Sequence, residues 1–263
     1  MPKLKVGIQL ASLKLPLKKA LHTAAELGAE GVEIDARGEV RPCALSRTGV
    51  RELRKILEDH NLRVTAVRFH TRRGYGVPED LERRVDATKD ALRFAFDLGA
   101  PAVINHVGRV PPKSEGPEWD LLCQALGDLG AFGERVGAVL AAETGSEEGT
   151  DLARLIRALP EGTLKVNLDP GNLVANGFSA REAAVALGAH VVHVHAKDAV
   201  RDVARKRGME MPLGQGSVDF PELVGILEEH GYRGYFTVER ENSEDPVREV
   251  GEAVKYLRGL KAA

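Results

Sequence analysis

The chain has 263 residues, 43% of them hydrophobic and 29% charged, with 37 Lys and Arg against 39 Asp and Glu for a formal net charge of −2. This mixture describes a globular chain with a sizeable core and excludes a fibre or a disordered tail. Balanced charge offers no strong field to recruit a polyanion, so nucleic acid is not an expected partner. No window reaches the roughly 18 consecutive apolar residues of a membrane-spanning helix, and MPKLKVGIQL runs straight into a strand-like pattern. No membrane partner is expected, and the expected location is the cytoplasm.

In chain order, a strand-like run at 5–10 precedes helical periodicity over 15–27, and a strand at 31–35 precedes a helix over 46–60. The next units pair a strand at 63–69 with a helix over 80–98, 102–105 with 118–136, and 139–143 with 151–159. Strands at 164–169, 191–195 and 235–239 are followed by helices over 180–187, 220–230 and 246–260. That makes eight strand–helix units in series, at about the length usual for one (β/α)8 TIM barrel. The expected fold is therefore an α/β barrel forming a single domain over 1–263, with no Pro/Gly/Ser linker to divide it. A doubly wound open sheet is the rival, but no GxGxxG follows the first strand.

Punctuation supports these divisions. LGAEGVEI, LGAPAVI and LGAHVVHV each place a Gly at a helix end before a strand, where a left-handed residue is expected. The segments at 72–79, 107–117 and 196–219 are long and follow strands, which in a barrel puts them all at the C-terminal mouth. Cys43 and Cys123 lie in no CxxC spacing and suggest neither a disulfide framework nor a thiolate metal site.

The strand ends carry polar groups where buried parallel strands should be apolar: Glu33 and Asp35, Arg68 and His70, Asn105 and His106, Glu143, Asp169, His193 and His195, and Glu239. Glu143, Asp169, His195 and Glu239 end four consecutive barrel strands. Neighbouring strands lie about 4.8 Å apart, so these side chains converge if they share the inward phase. Three carboxylates meeting there repel one another unless a cation sits among them. Their oxygen-rich donor set suits one divalent ion, Mn2+, Mg2+ or Co2+, with Zn2+ also admissible. Lys197 shares strand phase with His195 and is expected to reach a substrate oxygen. His70 and His106 are expected to contact substrate hydroxyls, with a second metal as the alternative. His193 reads as a hydrogen-bonded group one layer deeper, and Trp119 as core.

The phrases GVEIDA, AAETG, VNLDPGN, HVHAKDA, PLGQGSVDFPELVGIL and GYRGYFTVERE span nearly the whole chain. Together they resemble the xylose isomerase-like barrel superfamily, which includes ketose 3-epimerases, hydroxypyruvate isomerase, inosose dehydratase and endonuclease IV. The resemblance implies that Glu143, Asp169, His195 and Glu239 bind one divalent metal and that Glu143 and Glu239 act as an acid/base pair on a metal-stabilised enediolate. It implies a small carbohydrate or polyol substrate and leaves homo-oligomeric assembly open. Arg201, six residues after His195, stands where ketose epimerases have a substrate-binding arginine. Asn172 stands where they have a histidine, and Gly149 where they have a glutamate, so Asn172 is expected at the substrate while a simple free-ketose epimerase is disfavoured. The implied function is a sugar or polyol isomerase or epimerase. The alternative is a carbon–oxygen lyase of the inosose or keto-acid dehydratase type, ahead of a phosphodiester hydrolase like endonuclease IV.

Overall fold

The computed structural model describes residues 3–260 apart from 39, 203, 205 and 206. Eight parallel strands close into a barrel: β1 (Lys5–Gln9), β2 (Gly31–Asp35), β3 (Arg63–Arg68), β4 (Ala102–Asn105), β5 (Val139–Glu143), β6 (Leu164–Leu168), β7 (Val191–Ala196) and, last in the chain, β10 (Tyr235–Val238). Each strand pairs with its sequential barrel neighbour, and β1 pairs with both β2 and β10. The sheet has no open edge, so no row of backbone groups is left unpaired.

The barrel is wrapped by α1 (Leu17–Glu26), α2 (Arg47–Asp59), α3 (Leu81–Leu98), α4 (Pro117–Val136), α5 (Gly149–Ala158), α7 (Ala180–Leu187), α8 (Phe220–Glu229) and α9 (Pro246–Gly259). A short α6 (Pro170–Asn176) precedes α7. The strands' outward side chains, among them Val6, Ile8, Ile104 and Leu140, are buried against helix stripes such as Leu92 with Ala95 and Leu122 with Leu126. Trp119 belongs to this packing, half-sandwiched by the Arg154 guanidinium 5.1 Å from its ring.

Two elements depart from the sequence reading. Helix α6 was not expected, although Asp169 caps it by accepting from Asn172 N and Pro170 occupies its first turn. The long segment after β7 is not irregular, since it folds into an antiparallel hairpin of β8 (Asp198–Asp202) and β9 (Arg207–Met211). The turn beyond that hairpin is built on Asp198, whose carboxylate accepts from the amides of Ala199, Gly214, Gly216 and Val218.

The expected left-handed glycines hold at two of the three LGA phrases, Gly28 at φ 86° and Gly99 at φ 72°. Gly188 differs, because its φ is −51°. It is required for close approach: a Cβ there would lie 2.3 Å from the His230 ring.

Candidate metal centre and active site

The interior of the barrel is polar at two levels. In the lower one, Thr65 and Thr237 face each other and Thr237 Oγ1 lies 2.9 Å from His193 Nε2. His193 Nδ1 lies 2.9 Å from Asn167 Oδ1. Each polar atom of the imidazole therefore has a partner. Burial pushes the His193 pKa down to about 4, outweighing the Glu33 carboxylate nearby, so this ring is neutral.

One layer up, Glu143, Asp169, His195 and Glu239 meet from the ends of β5, β6, β7 and β10, with one ligand atom of each lying within 4.8 Å of the others. His195 Nδ1 is 2.9 Å from Glu239 Oε2 and 3.8 Å from both Asp169 Oδ2 and Glu143 Oε2. The register supplies this geometry. Thr237 pairs with His195, and Glu143 with Asn167. Pairing also slips by a residue at Val32/Glu33 and at Val166/Asn167, re-aiming the two strands that hold His195 from the side.

The side chains around the four hold them from outside the cluster. His195 Nε2 is 2.7 Å from Glu33 Oε2, a fully buried carboxylate, and Nδ1 on the other side of the ring faces the cluster, 3.0 Å from Asn167 Nδ2. Gln9 Nε2 donates to Glu33 Oε1 at 2.9 Å and to Glu239 Oε1 at 3.1 Å. Glu143 Oε1 accepts from Asn172 Nδ2, and its Oε2 lies 2.8 Å from His70 Nε2. Asp169 Oδ1 accepts from Asn172 N. The atoms left over are Asp169 Oδ2 and Glu239 Oε2, both buried and without a hydrogen-bond partner.

Two carboxylate oxygens without hydrogen-bond partners beside His195 Nδ1 fit a divalent cation, since such atoms buried without compensation are costly. The electrostatics agree. Burial, reinforced by the Glu239 and Glu143 charges, pushes the Asp169 carboxyl up to about 7 despite Lys197. Burial works against charge on His195, but Glu239 and Glu33 outweigh it and raise its pKa. Burial would raise Glu143 too, yet the hydrogen bond from His70 and the charge on His195 hold it down to about 2. The cluster is thus short of positive charge at its centre.

A cavity of about 540 Å3 opens above the cluster, lined among others by Arg68, His70, His106, Arg109, Asn172 and Lys197. Lys197 is buried and its Nζ lies 3.3 Å from Glu241, 3.6 Å from Glu239 and 3.9 Å from Asp169. His70 and His106 stack with ring centroids 4.0 Å apart, and together with Glu143 they form a second convergent group of potential ligands. Arg68 pairs with Asp35 at 3.0 Å while its Nε has no partner. Of the expected substrate residues, Lys197, His70, His106 and Asn172 come together at this cavity. Arg201 does not: it lies on β8 and donates to Ala175 O at the end of α6.

Gln9, Asn167 and Arg109 were not singled out in the sequence. Gln9 and Asn167 were visible as polar residues in apolar strands, whereas Arg109 follows its strand by several loop residues and carried no such signal.

A closed eight-stranded parallel barrel wrapped by helices, with a buried carboxylate–imidazole cluster at its mouth that could hold a metal ion, defines a (β/α)8 protein. Residues 21–260 match the family model described as the xylose isomerase-like TIM barrel, and the chain belongs to that family. It is 26% identical over 242 residues to an inosose dehydratase of Clostridium beijerinckii, covering 80% of each chain. The structure resembles a xylose isomerase domain protein from Planctomyces limnophilus with a TM-score of 0.86 and 26% identity, over 98% of this chain and 97% of the other. It also shares its fold with a D-tagatose 3-epimerase-like protein, TM-score 0.77 at 20% identity, over 97% and 98% of the two chains.

Proposed function

We propose that the chain is a divalent-metal-dependent isomerase or epimerase of a small sugar or polyol, with Glu143 and Glu239 moving the proton on a carbon beside the substrate carbonyl. The observation that carries this reading is the pair of orphaned oxygens on Asp169 and Glu239 converging with His195 Nδ1 beneath an open cavity. Glu143, Asp169, His195 and Glu239 would hold the ion, and their hard oxygen-rich set favours Mn2+, Mg2+ or Co2+ over Zn2+. When bound, it supplies Lewis acidity toward the carbonyl and adjacent hydroxyl of the substrate.

The protein's own groups have distinct tasks in this scheme. Glu239 is anchored at Oε1 by Gln9, so its other oxygen has a fixed aim. Glu143 is held from both sides by His70 and Asn172. His70, 17% exposed, is placed to exchange a proton with Glu143, and His106, 42% exposed, packs against its ring at the cavity edge. Lys197 presents an ammonium above the cluster for an anionic substrate oxygen. Arg201 acts at one remove, by holding the end of α6 and with it Asn172. The cavity volume lies within the range for small-molecule sites. Among the described residues no helix is long and apolar enough to cross a membrane.

A second reading, a carbon–oxygen lyase acting on a cyclic polyol ketone, is favoured by the inosose dehydratase relative. It begins with the same proton abstraction and ends with loss of a β-hydroxyl. Incubation with Mn2+ in D2O and a panel of ketoses, keto-inositols and hydroxypyruvate separates the two. Deuterium entering the carbon beside the carbonyl, with an isomeric product, is the expected result. An enone absorbance establishes the lyase instead, and no exchange with any of these substrates contradicts both.

A further inference from the structure

Away from the mouth cavity, the surface carries a concentration of positive charge that the fold uses only in part and the proposed chemistry does not use. Two clefts, of about 700 Å3 and about 910 Å3, lie end to end between the loops after β2 and β3 and the helices α2 and α3, sharing Pro42, Cys43 and Asp90. Six arginines line the first and four the second, against only Asp80, Asp90 and Asp97, with no lysine and no glutamate. In a chain of net charge −2, that is strong local segregation of positive charge.

Most of these arginines would be expected to have local partners if they served stability. Six do: Arg84 donates to the carbonyls of Gly74, Val77 and Glu79, Arg37 and Arg41 to those of His70 and Gly38, Arg51 to Thr48, and Arg73 and Arg93 pair with Glu79 and Asp90. The side chains of Arg47, Arg54, Arg72 and Arg83, however, make no hydrogen bond or ion pair with any described residue. Arg47, Arg51 and Arg54 follow one another at spacings of four and three along α2, so they share a face. Like charges at such spacings cost a helix about 0.2–0.5 kcal/mol each and gain nothing for the fold.

The choice of arginine over lysine matters chemically. Its planar fork of donors matches phosphate oxygens in pairs, and it remains charged at any working pH. The cleft volumes fall in the range of small-molecule sites. No residue lining either cleft also lines the mouth cavity: Phe69 and Thr71 face the cleft while Arg68 and His70 face the metal cluster. We propose that this arginine cleft is a binding site for a small multiply phosphorylated anion, a di- or triphosphate, separate from the metal centre.

The test is calorimetric titration of the metal-stripped chain with inorganic orthophosphate, pyrophosphate and tripolyphosphate, so that binding at the metal centre does not contribute. Saturable binding of one tripolyphosphate per chain is expected, at least tenfold tighter than orthophosphate. The double variants Arg72→Ser with Arg83→Ser and Arg47→Ser with Arg54→Ser should each weaken it about tenfold without lowering the melting temperature, while Asp169→Asn binds as wild type. Absence of saturable binding, or binding by both arginine variants as tight as by wild type, overturns the proposal. Binding of a single-stranded oligonucleotide without binding of tripolyphosphate overturns it as well, in favour of a nucleic-acid strand.

Discussion

His193 and His195 sit two residues apart on one strand, facing the same barrel interior at 1% and 0% exposure, yet their environments push them in opposite directions. Below, Thr237 and Asn167 satisfy His193 with neutral partners and burial keeps it uncharged. Above, Glu239 and Glu33 flank His195, and Asp169 Oδ2 and Glu239 Oε2 lie beside His195 and Lys197 without completing a hydrogen bond. Burial is common to both, so burial alone does not make a site. What distinguishes the upper layer is an incomplete polar network, and an incomplete network persists in a folded protein when something else completes it.

The largest effect that sharpens this contrast is expected for Glu239→Gln. Because Glu239 both faces the cation position and moves the proton in the proposed chemistry, deuterium exchange into substrate should fall by about 10³-fold or more. A variant that retains exchange within about tenfold would remove Glu239 from the reaction.

Glu147 tests burial without either network. It accepts a single hydrogen bond, from Val110 N, and burial, with some help from Asp151, pushes its pKa up to about 7. The folded chain thus binds this proton more tightly than the unfolded one, so the contribution of Glu147 to stability should fall as pH rises from about 4.5 to about 7 and be flat outside that window. The effect is up to about 3 kcal/mol from a shift of this size. Denaturant melts of wild type and Glu147→Gln across pH 4 to 8 check it, since the difference in stability between the two should carry that slope.

Smaller is the expected effect of Glu33→Gln, which removes the carboxylate behind His195 while keeping its shape. Mn2+ affinity should drop about 10–100-fold with little change in the melting temperature of the metal-free chain. In the lower layer the pattern reverses. His193→Ala leaves Thr237 and Asn167 short of a partner and should cost about 2–3 kcal/mol of stability, with Mn2+ affinity within about threefold of wild type. If His193→Ala instead abolished metal binding, the two layers would not be separable.

Much of this was legible in the sequence, and for identifiable reasons. All eight barrel strands were found because parallel strands buried on both faces are short apolar runs bounded by turn residues, and β2, β4 and β5 fall where expected at 31–35, 102–105 and 139–143. The convergent four were visible because polar strand ends are conspicuous against that background. Helix α6 was missed because seven residues are too few to show a period, though its Asp-Pro start and Gly177 at its end were in plain view. The β8–β9 hairpin was missed because Gly208 and the charged residues around it mimic an irregular loop. Arg201 was placed at the substrate by its distance from His195 along the chain, and the hairpin turns it toward Ala175 instead. The arginine cleft was hidden by the near-zero net charge, since contributions from α2, α3 and two loops become a patch only when the fold assembles them.

The central claim is that Glu143, Asp169, His195 and Glu239 hold one divalent ion, and it is tested most directly by titrating the metal-stripped chain with Mn2+ and following the free ion by electron paramagnetic resonance. One tight ion per chain in wild type and in His193→Ala, with that binding lost in Asp169→Asn, is the expected result. Tight binding that survives Asp169→Asn, or no binding in wild type, would contradict the assignment.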